Sequence, residues 1–271
     1  VTVWTSMWKC GKTTLFAGLI RDLQHGGKLA KRRSGLKIVV LSEEPESLWA
    51  TRADDLGLTN DLKLLRTNFH GRSTQKQWDT LTRRLLDYTK ENGGNVLVIF
   101  DTLPYFWPVK DENDAAAALG ALSPLRRISE AGAAIILAAH PRKSEADPFS
   151  GTRGSGAIPG FADIIVEMLY RNKQDAACTK RLVRARGRFD EIPPETIIDR
   201  KDGRYVVLGD PLKDDVQARQ EAIIGILEQV GEPIGYDEIF EKLSDTGMSK
   251  ASIKGAITSG VKDGLFIKTE G

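Results

Sequence analysis

Residues 6–14 read Ser6-Met7-Trp8-Lys9-Cys10-Gly11-Lys12-Thr13-Thr14. Val1, Val3 and Trp4 form an apolar run before them, and Leu15, Phe16, Leu19 and Ile20 repeat at helical spacing behind. Strand, tight loop and helix in that order build a phosphate cradle. Backbone N–H groups of the loop and of the helix N-terminus converge on an anion there. Lys12 would reach the β- and γ-phosphates of a nucleotide, and the Thr13 hydroxyl would take a place on Mg²⁺. Ser6 stands where this motif usually opens with Gly, a residue favoured because the loop bends most easily without a Cβ. The Gly11-Lys12-Thr13-Thr14 end is intact. A plain helix start with a solvated lysine would lack the flanking strand and helix that the motif requires.

The next elements follow the same logic. Residues 37–42, Lys-Ile-Val-Val-Leu-Ser, form a short apolar strand that runs into Glu43, Glu44 and Pro45. In an open α/β sheet the C-terminal ends of strands line the ligand crevice. One of the two carboxylates would therefore stand beside the phosphates and orient or deprotonate a water. The pair would alternatively favour the dipole of a following helix and do no more. Residues 95–101, Asn-Val-Leu-Val-Ile-Phe-Asp, make a continuous apolar run, as a parallel strand buried on both faces does. Asp101 at its end occupies the place of a Mg²⁺-holding aspartate. Residues 133–140 repeat the pattern and end on His140, which would either sense the γ-phosphate through a hydrogen bond or serve the structure alone.

Between and beyond these strands the pattern continues. Leu62 to Thr67 reads as a strand, and residues 73–90 and 114–131 as helices. Leu103 to Val109 is an aromatic, Pro-bounded loop that would either stack bases or pack beneath a lid. Residues 141–160 are too long and polar for a simple connection, which predicts a functional mobile loop. Arg142, Lys143 and Arg153 make it basic. Residues 162–170 and 180–188 read as strands. In the second, Arg184, Arg186 and Arg188 alternate, so all three would share one face and need an anion or a partner's carboxylates. Asp202-Gly203 marks a hairpin turn.

The 271 residues suffice for one large core and an appendage. With 41% hydrophobic and 28% charged residues the composition is that of a globular protein. No run approaches the length of a bilayer span and no signal peptide opens the chain, so a cytoplasmic protein is expected. Val1 already lies inside a strand that should be buried, which suggests that the sequence starts within a longer chain. Cys10 and Cys178 form neither a disulfide framework nor a metal cluster. Asp210-Pro211 divides the chain into residues 1–210 and residues 211–271. The second part carries seven basic and eleven acidic residues, the first a net excess of six basic ones. Any nucleic acid would thus meet mainly the first. Helical spacing predicts three helices in the second part, and Leu265 to Glu270 would begin a β-wing. A winged helix-turn-helix results, serving either DNA or a protein partner; Lys250, Lys254, Lys262 and Lys268 cluster on its third helix and wing.

Four segments carry a family likeness: Gly11-Lys12-Thr13-Thr14, Ser42-Glu43-Glu44-Pro45, Ile99 to Leu103, and His140 with Gly154-Ser155-Gly156-Ala157. From about Val1 to Leu208 the chain resembles the RecA-like hexameric ATPases of the RepA replicative-helicase type. The resemblance implies an α/β RecA-like fold with a mostly parallel sheet. It implies ATP and Mg²⁺ as ligands, Glu43 as catalytic base, Asp101 as the Walker B residue and His140 as sensor. Arg186-Gly187-Arg188 looks like the family's Lys-x-Arg arginine finger, which reaches the γ-phosphate of a neighbouring subunit. A homohexameric ring that moves on or remodels DNA, single-stranded above all, is the implied activity. The alternative is a nucleotide-switched DNA-binding regulator with little turnover. Ser6, Arg in place of Lys at 186, and the C-terminal appendage are where this chain departs from the pattern.

Overall fold

The computed structural model describes residues 1–7, 9–65, 72–141, 155–172, 175, 177–246 and 248–268. The chain divides into two units, Val1–Val207 and Leu208–Gly271.

The first unit is built on one nine-stranded sheet in the order β3-β2-β4-β5-β1-β6-β7-β8-β9. Its strands are β1 (Thr2–Ser6), β2 (Lys37–Ser42), β3 (Leu62–Leu65), β4 (Val96–Asp101), β5 (Ala134–Ala139), β6 (Ile164–Tyr170), β7 (Lys180–Gly187), β8 (Glu195–Lys201) and β9 (Arg204–Gly209). β3, β2, β4, β5, β1 and β6 pair in parallel, whereas β7 is antiparallel to both β6 and β8. β4 is buried at all of its positions, because helices cover both faces of the sheet. Alternation within one apolar strand divides the core. Val39, Leu41, Val98 and Phe100 face Trp78, Leu122 and Leu125 on one side. Ile38, Val40, Leu97 and Ile99 face Phe16, Ile20 and Trp49 on the other. The first cluster is fed by α3 (Gln75–Glu91) and α5 (Ala115–Glu130), the second by α1 (Lys12–His25) and α2 (Glu46–Leu56). Thr74 and Gln77 close α3 with a capping box, which satisfies two of its orphan donors.

The aromatic segment after β4 belongs to this core. Leu103–Phe106 form the short helix α4, and Leu103, Phe106 and Trp107 are fully buried. Of the two roles open for these rings, packing is the one their burial permits. After α6 (Ala157–Phe161) the chain enters β6. The β8–β9 turn places Asp202 at φ 50° and Gly203 at φ 74°, the left-handed pair that a tight hairpin requires.

The second unit holds α7 (Pro211–Val230), α8 (Tyr236–Lys242), a 3₁₀ turn (Ser244–Thr246) and α9 (Lys250–Lys262). Asp210 caps α7 ahead of Pro211, and Gly231 ends it in the left-handed conformation, the usual asymmetry of helix termini. Ile223, Ile239, Leu243, Ile253 and Ala256 make its core. The expected wing is not formed among the described residues. Leu265 and Phe266 instead turn back, both N–H groups donating to Gly260 O. The Phe266 ring lies so close that a Cβ on Gly260 would meet it at 2.1 Å. Phe266 packs onto α9 instead of extending, so the described residues of this unit are three helices and do not clearly form the expected winged helix-turn-helix. No helix among the described residues is long and apolar enough to cross a membrane.

Candidate nucleotide site

Parallel pairing brings the strand exits level. Ser42 of β2 lies opposite Asp101 of β4, and Thr5 of β1 opposite Ala139 of β5. The loop after β1 and the residues after β2, β4 and β5 therefore open on one cleft of about 540 Å³. Ser6, Met7, Lys9, Cys10, Gly11, Lys12, Thr13, Thr14, Glu43, Asp101 and His140, all singled out from sequence, line it. Trp8 lies outside the described residues, as do Arg142, Lys143 and Arg153.

Among the loop's described residues the left-handed positions are Lys9, at φ 58°, and Gly11, at φ 95°. Ser6 is not one of them: it is the last residue of β1, buried and paired with Met168 of β6. The conformational demand that favours Gly at the motif's opening is thus met elsewhere in this loop. Gly11 caps α1 with no side-chain bond, and the first turn of α1 carries no acid. Its N–H groups are left for an anion.

Lys12 Nζ stands 3.6 Å from Asp101 Oδ1, and the Thr13 hydroxyl donates to Asp101 Oδ2 at 2.6 Å. A hydroxyl and a carboxylate side by side are groups that could share a Mg²⁺ ion with phosphates and waters. Among the described residues no group of three or more His, Cys, Asp or Glu could hold a metal alone. The peptide between Asp101 and Thr102 is cis.

The two glutamates differ sharply. Glu44 is held by Arg52, which also lies 5.3 Å above the Trp49 ring. Its N–H donates to Ser42 Oγ, and the same hydroxyl accepts from Trp49 Nε1 at 2.9 Å. Glu43 lines the cleft together with Glu44, and its N–H donates to Asp101 O at 3.1 Å. Burial pushes the Glu43 carboxyl above its ordinary value; Asp101 and Glu44 add to the rise, and Lys12 opposes it.

The arginines expected to act as fingers are elsewhere. β7 ends at Gly187, so Arg188 lies beyond the strand and not on a shared face with Arg184 and Arg186. Gly187 pairs with Ile164, and Ile164 with Thr2. This end of β7 is thus level with the start of β1, and the nucleotide loop sits at the other end. Arg184 is engaged by Glu195 at 2.8 Å. Arg188 reaches Asp163 at 3.4 Å, a carboxylate the sequence spacing does not reveal. Arg186 and Phe189 beside it are exposed.

Four functional candidates escape sequence reading. Arg52 and Arg200 line the cleft, and Arg181 and Tyr205 both donate to Cys10 O. Arg52 stands eight residues after Glu44, one helix away, a spacing that could have been used. The other three come from β7, β8 and β9 and have no local signature.

A family model described as an AAA domain matches residues 1–146. A search of curated proteins finds no significant match. Among solved structures, a KaiC-like protein from the hyperthermophilic archaeon Pyrococcus horikoshii shares the fold. It superposes with a TM-score of 0.52 at 16% identity, over 76% of this chain and 88% of the other.

Proposed function

The chain belongs to the AAA domain family, and from that premise we propose that it is a ring-forming ATPase of the RepA helicase type that works on single-stranded DNA. A P-loop AAA-type NTPase with a RecA-like α/β fold is the coarser description that the family match and the shared architecture support. The observation that carries the proposal further is the asymmetry of Glu43 and Glu44. One carboxylate is paired with Arg52, and the other stands beside Lys12 and Asp101 with a raised pKa. A carboxylate in that state is a general base for water attacking the γ-phosphate.

Lys12 and the N–H groups of α1 bind the polyphosphate. Thr13 and Asp101 would hold Mg²⁺, which neutralises charge on the β- and γ-phosphates when bound. Glu43 orients the water and takes its proton, and His140 at the exit of β5 is set to sense the γ-phosphate. Charge on the leaving phosphate would be met by Arg186 and Arg188 of a neighbouring copy. Their place at the far end of the sheet favours that assignment, because they cannot serve their own loop. Arg188 is 66% exposed in its pair with Asp163. Such surface pairs contribute about 0–1 kcal/mol, so exchanging Asp163 for a neighbour's phosphate costs little. The hexamer and the DNA are inferred from the resemblance to RepA-type enzymes and from the basic segment 141–160.

ATP turnover measured with and without single-stranded DNA tests the proposal. Stimulation by single strands is expected. Replacing Arg142, Lys143 and Arg153 by Ala should reduce the slope of log affinity against log salt by about 0.7 for each phosphate the protein no longer neutralises. ATP binding without turnover, with a preference for particular duplex sequences, would point to the regulator instead.

A further inference from the structure

Cys10, at the centre of the nucleotide loop, is tied to three strands that lie outside the family match. Its thiol lies 3.6 Å from Met168 O of β6. Its carbonyl accepts from Arg181 Nε of β7 at 2.9 Å and from the Tyr205 hydroxyl of β9 at 3.0 Å. Both donors are buried, Arg181 at 5% and Tyr205 at 4% exposure. A carbonyl oxygen has two lone pairs, and both are used here from behind the loop.

The consequence follows from peptide geometry. In a planar trans peptide the C=O and the next N–H point in opposite directions. Pinning Cys10 O toward β7 and β9 turns the Gly11 N–H away from them. That N–H has no backbone acceptor among the described residues. Gly11 lines the cleft, whereas Arg181 and Tyr205 do not. The same arrangement explains why position 11 excludes a side chain: a Cβ there would meet the Tyr205 oxygen at 2.3 Å.

Arg181 also brings charge. Its hydrogen bonds run to the carbonyls of Cys10, Cys178 and Lys180, and its guanidinium lies 4.5 Å from the Tyr170 ring centroid. Among the described residues it has no carboxylate partner. A buried cation compensated only by carbonyl dipoles is costly, and a polyphosphate across the Cys10–Gly11 peptide would supply the missing anion.

We propose that Arg181 and Tyr205 are positioning residues for the nucleotide, holding the Cys10–Gly11 peptide with its N–H toward the polyphosphate while Arg181 adds a fixed positive charge behind the loop. This rests on the ATPase reading and adds that the phosphate site is completed by β7 and β9, beyond residue 146. It is tested with the full chain by measuring ATP and ADP dissociation constants, KM, kcat and thermal midpoint for wild type, Tyr205→Phe, Arg181→Lys and Arg181→Met. Losing a charge-assisted bond should weaken ATP binding about tenfold or more in Arg181→Met, with ADP, which carries less charge, weakened less. Arg181→Lys should recover most of that ATP–ADP difference. Tyr205→Phe should raise KM about three- to tenfold, more than it lowers kcat, at a near-native thermal midpoint. Folded Arg181 variants with equal losses for ATP and ADP, or with none, overturn the charge role. If Arg181→Met does not fold, Tyr205→Phe decides, and an unchanged KM overturns the proposal. Wild-type protein that binds neither nucleotide defeats the ATPase reading and this inference together. Wild-type binding with unaffected variants defeats this inference alone.

Discussion

In the parallel half of the sheet, β1, β2, β4 and β5 each run out into a residue that faces the cleft. In the antiparallel edge, β7 and β9 reach the nucleotide loop from behind the cleft, from within the strand, through the side chains of Arg181 and Tyr205. The first arrangement is inherited from topology: parallel strands all exit on one side, so consecutive motifs converge without further instruction. The second depends on register. One residue of slip in β7 would turn Arg181 to the opposite face and leave Cys10 O without that donor. Loop chemistry in this chain is therefore supplied by one half and held by the other. The far end of β7, with Arg186 on it and Arg188 just beyond it, lies away from the nucleotide loop.

The comparison can be broken at several points. Lys12→Ala removes the cleft's lysine at the helix start and should abolish ATP binding. Unchanged affinity by calorimetry would remove the phosphate site from the parallel half altogether. Arg188→Ala tests the far end. Binding should persist while turnover falls by about 10³–10⁵, the range of a finger supplied by a neighbour. Mixing Arg188→Ala with Lys12→Ala protein should return part of the activity, at interfaces where an intact loop meets an intact finger. An active Arg188→Ala enzyme would assign these arginines to Asp163 and surface structure only.

Smaller effects sharpen the picture inside the cleft. Glu43→Gln should leave ATP bound and slow hydrolysis by about 10²–10⁴, while Glu44→Gln, whose carboxylate is occupied by Arg52, should cost far less. The reverse ranking would move the base by one residue. The pH profile gives the finest test. A base works only when deprotonated, so the rate must fall as pH drops through the Glu43 pKa. Burial raises that pKa, so the acid limb should lie above the usual glutamate value of about 4.3 and vanish in Glu43→Gln. A limb at or below the ordinary carboxylate range would mean that Glu43 is solvated in the working enzyme.

Much of the parallel half was legible in the amino-acid sequence, for a physical reason. Strands buried on both faces read as continuous apolar runs, and the residue that ends such a run is delivered to the crevice by topology alone. Lys12, Thr13, Asp101 and His140 could be placed that way, and so could the pair Glu43 and Glu44. What separated the two glutamates was tertiary: Arg52 on α2 pairs with one of them, and the neighbouring Asp101 charge helps raise the pKa of the other. Tertiary structure also decided three further points. The aromatics at 103–109 are core because helices cover them. Phe266 folds onto Gly260, so the second unit has no wing among its described residues. Arg188 meets Asp163 because β6 and β7 are antiparallel. Sequence periodicity reports which face of an element is buried, and says little about what lies against it. Arg181 and Tyr205 stand more than 170 residues from Cys10 in the chain, and only the pairing of β6, β7, β8 and β9 carries them to it.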